Sequence, residues 1–331
     1  MNSLSSKYEE EILNFDREAE VNKICNRMRA IMRDNLRRRG IVVAVSGGID
    51  SSVSAALGVR AFGPNKAFFL QLPERDSAED TQSRGHQLIQ HLGVEYTTHD
   101  IAPTLAAIGC YQARDEAIKQ TFPEYGEGWK NKIAIRGGLD GQVNHFVLIV
   151  QDPQGNTFEK RLDIKSYLQI VAATNYKQRI RKTIEYYHAD RLNYAVIGTP
   201  NRLEYDQGFF VKNGDGSADL KPIAHLYKTQ VYALARYLEL PESICDATPT
   251  TDTYSLPQGQ DEFYFALPYQ EMDKALWAHN RGATSRELAE MLGISEGQAI
   301  YVYKDIENKR KTTQYLHAKP YLIEEISELS S

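Results

Sequence analysis

The chain has 331 residues, 42% of them hydrophobic and 25% charged, an ordinary balance for a globular protein and enough for a substantial core. A net charge of -5 provides no general basic surface for nucleic acid. The three cysteines, Cys25, Cys110 and Cys245, lack C-x-x-C spacing, which argues against a disulfide framework or a zinc site and for a reducing compartment. The polar, acidic stretch from Met1 to Phe15 holds no apolar core of a signal peptide, and no apolar run approaches the length of a membrane span. The expectation is a cytoplasmic protein with neither nucleic acid nor membrane as partner.

In chain order, residues 5 to about 38 read as a helix, with Ile12, Phe15, Ala19, Val21, Ile24, Met28 and Ile31 at helical spacing and Arg33, Arg37, Arg38 and Arg39 gathered at its end. Ile41 to Val45 is a buried strand. It runs directly into Ser46-Gly47-Gly48-Ile49-Asp50-Ser51-Ser52 and a helical pattern through Val53 to Val59. Strand, glycine turn and helix N-terminus in this order make an anion cradle, because glycine lets the backbone approach a ligand and the first helical N–H groups have no intrahelical partner. The string is not a Walker loop, which has a longer glycine-bounded spacing and a Lys. Hydroxyls and one carboxylate take the place of that Lys, so Ser46, Ser51 and Ser52 are expected to hold pyrophosphate and Asp50 a bridging Mg²⁺.

Lys66 to Leu72 and Val94 to Thr97 are further strands, with a helix from Ser77 to Leu92 between them that ends at Gly93. This alternation predicts an α/β fold, a doubly wound parallel sheet whose ligands sit at the carboxyl ends of the strands. Residues 125 to 168 break the rhythm. Lys132 to Ile135, His145 to Val150 and Thr157 to Leu162 read as strands, with a hairpin turn over Asp152 to Asn156, so an antiparallel β insertion beside the site is expected. A helix from Leu168 to His188, a strand over Tyr194 to Thr199 and a helix from Lys228 to Leu238 follow. Residues 1–331 are therefore read as one domain, with a helical tail from about 270. Ser285 to Ser295 scans like a helix-turn-helix, but Glu296, Gln298, Ala299, Tyr301 and Tyr303 offer little to a DNA groove, so packing is the expected role.

The loop at Ser46 resembles the pyrophosphate loop of the N-type ATP pyrophosphatases, enzymes that adenylylate an oxygen of their substrate, release pyrophosphate and let an amine displace AMP. A second region narrows the resemblance to the NAD synthetases. Asn175-Tyr176-Lys177-Gln178-Arg179-Ile180-Arg181 resembles that family's N-x-K-A-R-x-R, and Gly198-Thr199-Pro200-Asn201-Arg202-Leu203-Glu204 matches G-T-x-N-x-x-E. Phe209 to Gly216 is similar to F-F-T-K-Y-G-D-G. Asp219, Leu220, Pro222, Leu226, Lys228, Gln230, Thr248-Pro249-Thr250, Gly259 to Glu262 and Glu307 to Lys311 continue the pattern.

The resemblance implies a Rossmann-like sheet and a set of roles. Asp50 and Glu204 would bind Mg²⁺, and Ser46, Gly47, Gly48, Asp50, Ser51, Ser52, Thr199, Lys228 and Thr250 would bind ATP, with Asp50, Lys228 and Thr250 catalytic. Arg179, Lys212, Asp215, Asp219 and Lys309 would bind the acid. The cofactors implied are ATP and Mg²⁺, and the partners are deamido-NAD, or another carboxylate, and ammonia. A homodimer is also implied. No segment reads as a glutaminase, so ammonia is the expected donor, with supply from a separate glutaminase left open. Four positions depart from the family, Val171, Gln178, Val211 and Asn308, all on the acid side, and short members of the family lack the insertion. Two rival readings stand beside the synthetase: a paralogous ligase amidating a different carboxylate, and a non-catalytic nucleotide-binding regulator.

Overall fold

The computed structural model describes residues 3–137, 145–249, 253–265, 267–324 and 326. Four parallel strands, β1 (Ile41–Ala44), β2 (Ala67–Gln71), β3 (Glu95–Thr98) and, much later in the chain, Ala195–Val196, form a sheet in which β1 is central: Ile41 sits opposite Ala67 on one side and Ala195 on the other. Alternation along β1 explains why its sequence is apolar throughout. Ile41 and Val43 enter a core with Val53, Leu57, Val231 and Leu234, while Val42 points the opposite way into a core with Phe68, Ile101, Leu105 and Ala189. Helices cover both faces, as expected for a doubly wound sheet.

The inserted strands are β4 (Lys130–Arg136), β5 (His145–Gln151) and β6 (Thr157–Arg161), antiparallel in the order β4-β5-β6; the Ala195–Val196 strand is β7. The Asp152 carboxylate accepts from the Gln154 and Asn156 amides, and Gly155 takes a positive φ, which closes the expected hairpin. Residues 138–144, within the expected insertion, lie outside the described residues. Ile133, Leu148 and Val150 pack with Phe122, Ile170 and Tyr254, so the small sheet is fastened to the long helix Ile164–Leu192.

Two expectations about elements need correction. The N-terminal helix is not continuous over 5–38: the chain breaks at 14–16, and Asp16 starts a fresh helix, Arg17–Ile31, by accepting from the Ala19 amide at 2.9 Å. An N-cap satisfies amides that a continued helix would have used, so local capping overrides the periodicity. The seventh strand covers only Ala195–Val196, extended by a single parallel bridge from Ile197 to Leu220.

The tail consists of helices Tyr269–Asn280, Ser285–Leu292 and Glu296–His317. Leu288, Ala299, Val302 and Ile306 pack on Leu276 and Trp277 in one core. The helix-turn-helix pattern therefore serves packing.

Candidate active site

The loop after β1 is built as its sequence suggests. Gly47 has φ +76°, and a Cβ there would come within 2.4 Å of the Thr81 carbonyl, so only glycine fits. The helix Ile49–Phe62 begins at Gly48 with no side-chain cap, which leaves its first amides free for a ligand. The Ser46 and Ser51 hydroxyls stand 3.3 Å apart, and Ser51 also donates to the Gly48 carbonyl at 3.0 Å. Ser52 is fully buried and spends its hydroxyl proton on the same carbonyl at 2.8 Å.

Next to this loop, Lys228 is buried at the start of the helix Lys228–Tyr237, with its ammonium on the Asp50 carboxylate. Burial alone would lower the Lys228 pKa, but Asp50 and Glu204 outweigh it and hold the side chain protonated. Asn201 joins the two acids: its amide donates to Asp50 at 3.1 Å, while its oxygen accepts from the Glu204 backbone amide at 3.2 Å. This is half of a capping box at the start of Arg202–Gln207, and Glu204 closes the other half by accepting from the Asn201 amide. Two carboxylates beside a fixed cation are hard oxygen donors of the kind Mg²⁺ takes when phosphates and water supply its remaining ligands, so the donor set fits Mg²⁺. Among the described residues, no group of three or more His, Cys, Asp and Glu is placed to hold a metal alone.

Asp50, Lys228 and Glu204 open on a cavity of about 960 Å³. Of the residues expected in the site, Ser46, Gly47, Gly48, Ser51, Thr199, Arg179, Lys212, Asp215 and Lys309 also line it. Arg179 donates to the Lys212 carbonyl at 3.3 Å, and Lys212 donates to the Tyr315 carbonyl at 2.6 Å, tying the 209–216 turn to the last helix. Asp215 accepts from the Val211 amide at 2.8 Å, and burial pushes its carboxyl up. Lys309 bonds the Tyr264 carbonyl and Asp305, each at 2.5 Å, and burial lowers its pKa.

Two expected residues are placed elsewhere. Ser52 is not in the cavity wall, and Asp219 faces outward, accepting from the Val196 amide at 2.8 Å and so bracing β7 instead of lining the cavity. Thr250 lies outside the described residues. Of the four departures, Val171, Gln178 and Val211 line the cavity and Asn308 does not.

Sequence reasoning missed several contributors. Asn201 was legible, since N-x-x-E is a capping-box pattern. Arg84, Phe146, Tyr167 and Tyr254 also line the cavity, and no local spacing marks them. Lys177, 1% exposed, bonds Glu74 and Asp76 at 2.8 Å each and the Thr253 carbonyl at 3.1 Å; it holds neighbouring loops together and does not face the cavity. The three cysteines are free and buried, and burial raises each thiol pKa, so none is poised as a nucleophile.

A parallel α/β sheet with an anion cradle after its central strand and a Lys–carboxylate cluster beside it defines a nucleotide-dependent enzyme of the N-type ATP pyrophosphatase kind. The chain belongs to the NAD synthase family, whose model matches residues 20–124 and 144–320. It is 54% identical to the NH(3)-dependent NAD(+) synthetase of Mesorhizobium japonicum over 96% of this chain and 100% of that protein. The protein of the same name from Rhizobium meliloti is also 54% identical, over 96% and 95% of the two chains. Among solved structures, an NMN synthetase from Francisella tularensis superposes with a TM-score of 0.62 at 23% identity, covering 93% of this chain and 98% of that one. An NH3-dependent NAD synthetase from Campylobacter jejuni gives 0.59 at 21% identity, over 94% and 100%. These two likenesses concern the fold alone.

Proposed function

We propose that this protein is an ammonia-dependent NAD synthase, converting deamido-NAD, ATP and ammonia to NAD, AMP and pyrophosphate. The observation that carries the reading is the Asp50–Lys228–Glu204 cluster at the mouth of a glycine cradle, in a chain 54% identical over nearly its whole length to proteins named for that reaction.

A carboxylate oxygen of the acid attacks the α-phosphorus, and the bond from phosphorus to the β-bridging oxygen breaks as pyrophosphate leaves. Ammonia then adds to the acyl carbon, AMP departs with the C–O electron pair, and the nitrogen loses a proton. The amides that open the Ile49–Phe62 helix, with Ser46 and Ser51, suit the departing phosphates, and the Lys228 ammonium suits the negative charge that builds up on them. Mg²⁺ held by Asp50 and Glu204 would neutralise phosphate charge as the leaving group forms. Catalysis on this reading is alignment and charge stabilisation, with no covalent nucleophile.

The rival ligase acting on another carboxylate shares all of this chemistry. The fold does not choose between them, since the Francisella tularensis protein of similar fold is an NMN synthetase, named for a different product; the 54% identity favours deamido-NAD. A homodimer is supported by an apolar stripe on the long helix, where Ile164, Leu168 and Tyr176 recur at four- and eight-residue spacing and are 79%, 57% and 39% exposed. Leu168 also lines the cavity, so a second copy seated there would complete its wall.

Purified protein given deamido-NAD, ATP, Mg²⁺ and ammonium should form NAD with stoichiometric AMP and pyrophosphate. Asp50→Ala and Lys228→Ala should each lose at least ~100-fold in kcat, the scale for removing a charge-stabilising group. ADP and phosphate as products would sink the mechanism, and glutamine hydrolysis by the purified chain would contradict ammonia as its own nitrogen source.

A further inference from the structure

The helix Glu79–Leu92 follows β2 and is pressed against the loop that follows β1. Glycine on each side permits the contact. A Cβ on Gly47 would come within 2.9 Å of the Arg84 Cβ, and one on Gly85 within 2.8 Å of the Gln71 side-chain amide and 3.4 Å of the Val45 carbonyl. The Gln71 side-chain amide donates to the Gln82 carbonyl at 2.9 Å, and Leu88 and Ile89 anchor the helix in the core that holds Val43 and Val53. Arg84, one residue before Gly85, is thereby fixed at the edge of the cradle, and it lines the cavity.

The other cations of the cavity wall are engaged by the protein itself. Lys228 pairs with Asp50, Lys309 with Asp305 and Lys182 with Glu185, while Arg179, Arg181 and Lys212 donate to the carbonyls of Lys212, Leu72 and Tyr315. Arg84 differs. Its one hydrogen bond among the described residues runs from Nη2 to the Thr81 hydroxyl at 3.5 Å, and no carboxylate there pairs with it. Its Nε is buried without a partner. An unpaired buried N–H carries an uncompensated desolvation cost, and nearly all such groups in folded proteins have a partner. The fold supplies none, which leaves a ligand. A guanidinium keeps its proton and presents a planar fork of N–H donors, which matches two oxygens of a phosphate.

Strand order places that fork. β1 lies between β2 and β7; Glu204 follows β7 and Arg84 follows β2. The cradle after β1 therefore has Glu204, with Lys228 beside it, on one flank and Arg84 on the other.

We propose that Arg84 is a second charge-stabilising cation of the cradle, its fork donating to the β,γ-phosphate half of ATP and holding that half as it leaves as pyrophosphate. The proposal rests on the reading that ATP phosphates fill the cradle. As the bond from the α-phosphorus to the bridging oxygen breaks, its electron pair stays with pyrophosphate, and the added negative charge falls between Lys228 and Arg84.

The test is calorimetry of inorganic pyrophosphate, ATP, AMP and deamido-NAD, each with Mg²⁺, on wild type, Arg84→Gln and Arg84→Lys, with kcat measured beside it. In Arg84→Gln the Kd for pyrophosphate and for ATP should rise about 10- to 100-fold, the scale of a lost hydrogen bond to a charged group. Its kcat should fall about 100-fold. AMP and deamido-NAD should bind within about twofold of wild type, since neither carries the β,γ-phosphates of ATP. Arg84→Lys keeps the charge without the fork and should fall between. Unliganded Arg84→Gln should melt at or above the wild-type temperature, because no partner within the fold is lost. A lower melting temperature would assign Arg84 a structural role and overturn the proposal, as would AMP or deamido-NAD weakened as much as ATP. The wild type tests the underlying reading separately. If it binds neither ATP nor pyrophosphate, the cradle reading falls and the proposal with it; if it binds both and Arg84→Gln binds them equally well, the proposal alone is overturned.

Discussion

Lys177 and Lys228 are two buried cations with different work, and their partners explain the difference. A buried ammonium is tolerated only when paired and hydrogen-bonded. Lys228 meets its acids at the cavity wall, where a phosphate can join them. Lys177 meets Glu74 and Asp76 away from the cavity, with Arg114 on the same Asp76 carboxylate at 2.7 Å. Burial alone would raise the Asp76 pKa, but Lys177 and Arg114 hold its carboxyl below the ordinary value of 3.8. Its contribution to stability is therefore present above about pH 3.8 and is lost as pH falls through the lower folded value. Asp76→Asn should cost about 1–3 kcal/mol at pH 7, because Lys177 and Arg114 each lose one of two carboxylate partners and keep Glu74 and Asp115. Chemical denaturation from pH 7 down to pH 3 would check this, with the gap to wild type narrowing at the acid end.

The helix that presents Lys228 is held at its N-terminus by another helix. Asp273, on Tyr269–Asn280 and fully buried, accepts from the Lys228 and Thr229 amides at 3.2 and 2.7 Å and from the Thr229 hydroxyl at 2.6 Å. It thus acts as an N-cap supplied from outside the element, which no local capping pattern announces. Burial pushes the Asp273 carboxyl up to about 7, against the pull of those donors. The sign is opposite to that of Asp76. With the folded pKa above the ordinary value of 3.8, the stabilising contribution is complete below about pH 3.8 and is lost as pH rises to about 7. Asp273→Asn, which cannot ionise, should lose less stability than wild type between pH 4 and 7, and thermal melts at half-unit steps would show the two curves converging or crossing. Parallel curves would mean that the carboxyl does not titrate in that window.

For the whole molecule, the proposed dimer and the cavity are linked through the long helix Ile164–Leu192. One of its faces lines the cavity through Tyr167, Val171 and Gln178, and another exposes Ile164, Leu168 and Tyr176. Leu168→Glu would place a charge in the middle of that stripe. Light scattering should then report a shift from dimer to monomer, with a rise in KM for the acid. A wild type that is monomeric and fully active at assay concentration would refute the dimer. No helix among the described residues is long and apolar enough to cross a membrane.

The sequence alone determined what depends on neighbours along the chain. The parallel sheet was legible because Ile41 to Val45 must be buried on both faces, and the cradle because Gly47 needs a positive φ directly after that strand. The chemistry expected of the cradle was read from residue types at fixed spacing, as was the hairpin at Asp152, which the Gln154 and Asn156 amides close. What only the tertiary structure decided are contacts between distant segments: Asn201 bridging Asp50 to Glu204, Asp273 capping the Lys228 helix, Lys177 tying Glu74 to the Thr253 carbonyl, and Phe146 from the insertion settling on Tyr167. Ser52 and Asp219 mark the same boundary from the other side. Both carry site-like side chains in site-like motifs, and the packed fold turns one onto the Gly48 carbonyl, which the Ser52 amide and the Ser51 hydroxyl also reach, and the other onto the Val196 amide of the edge strand β7.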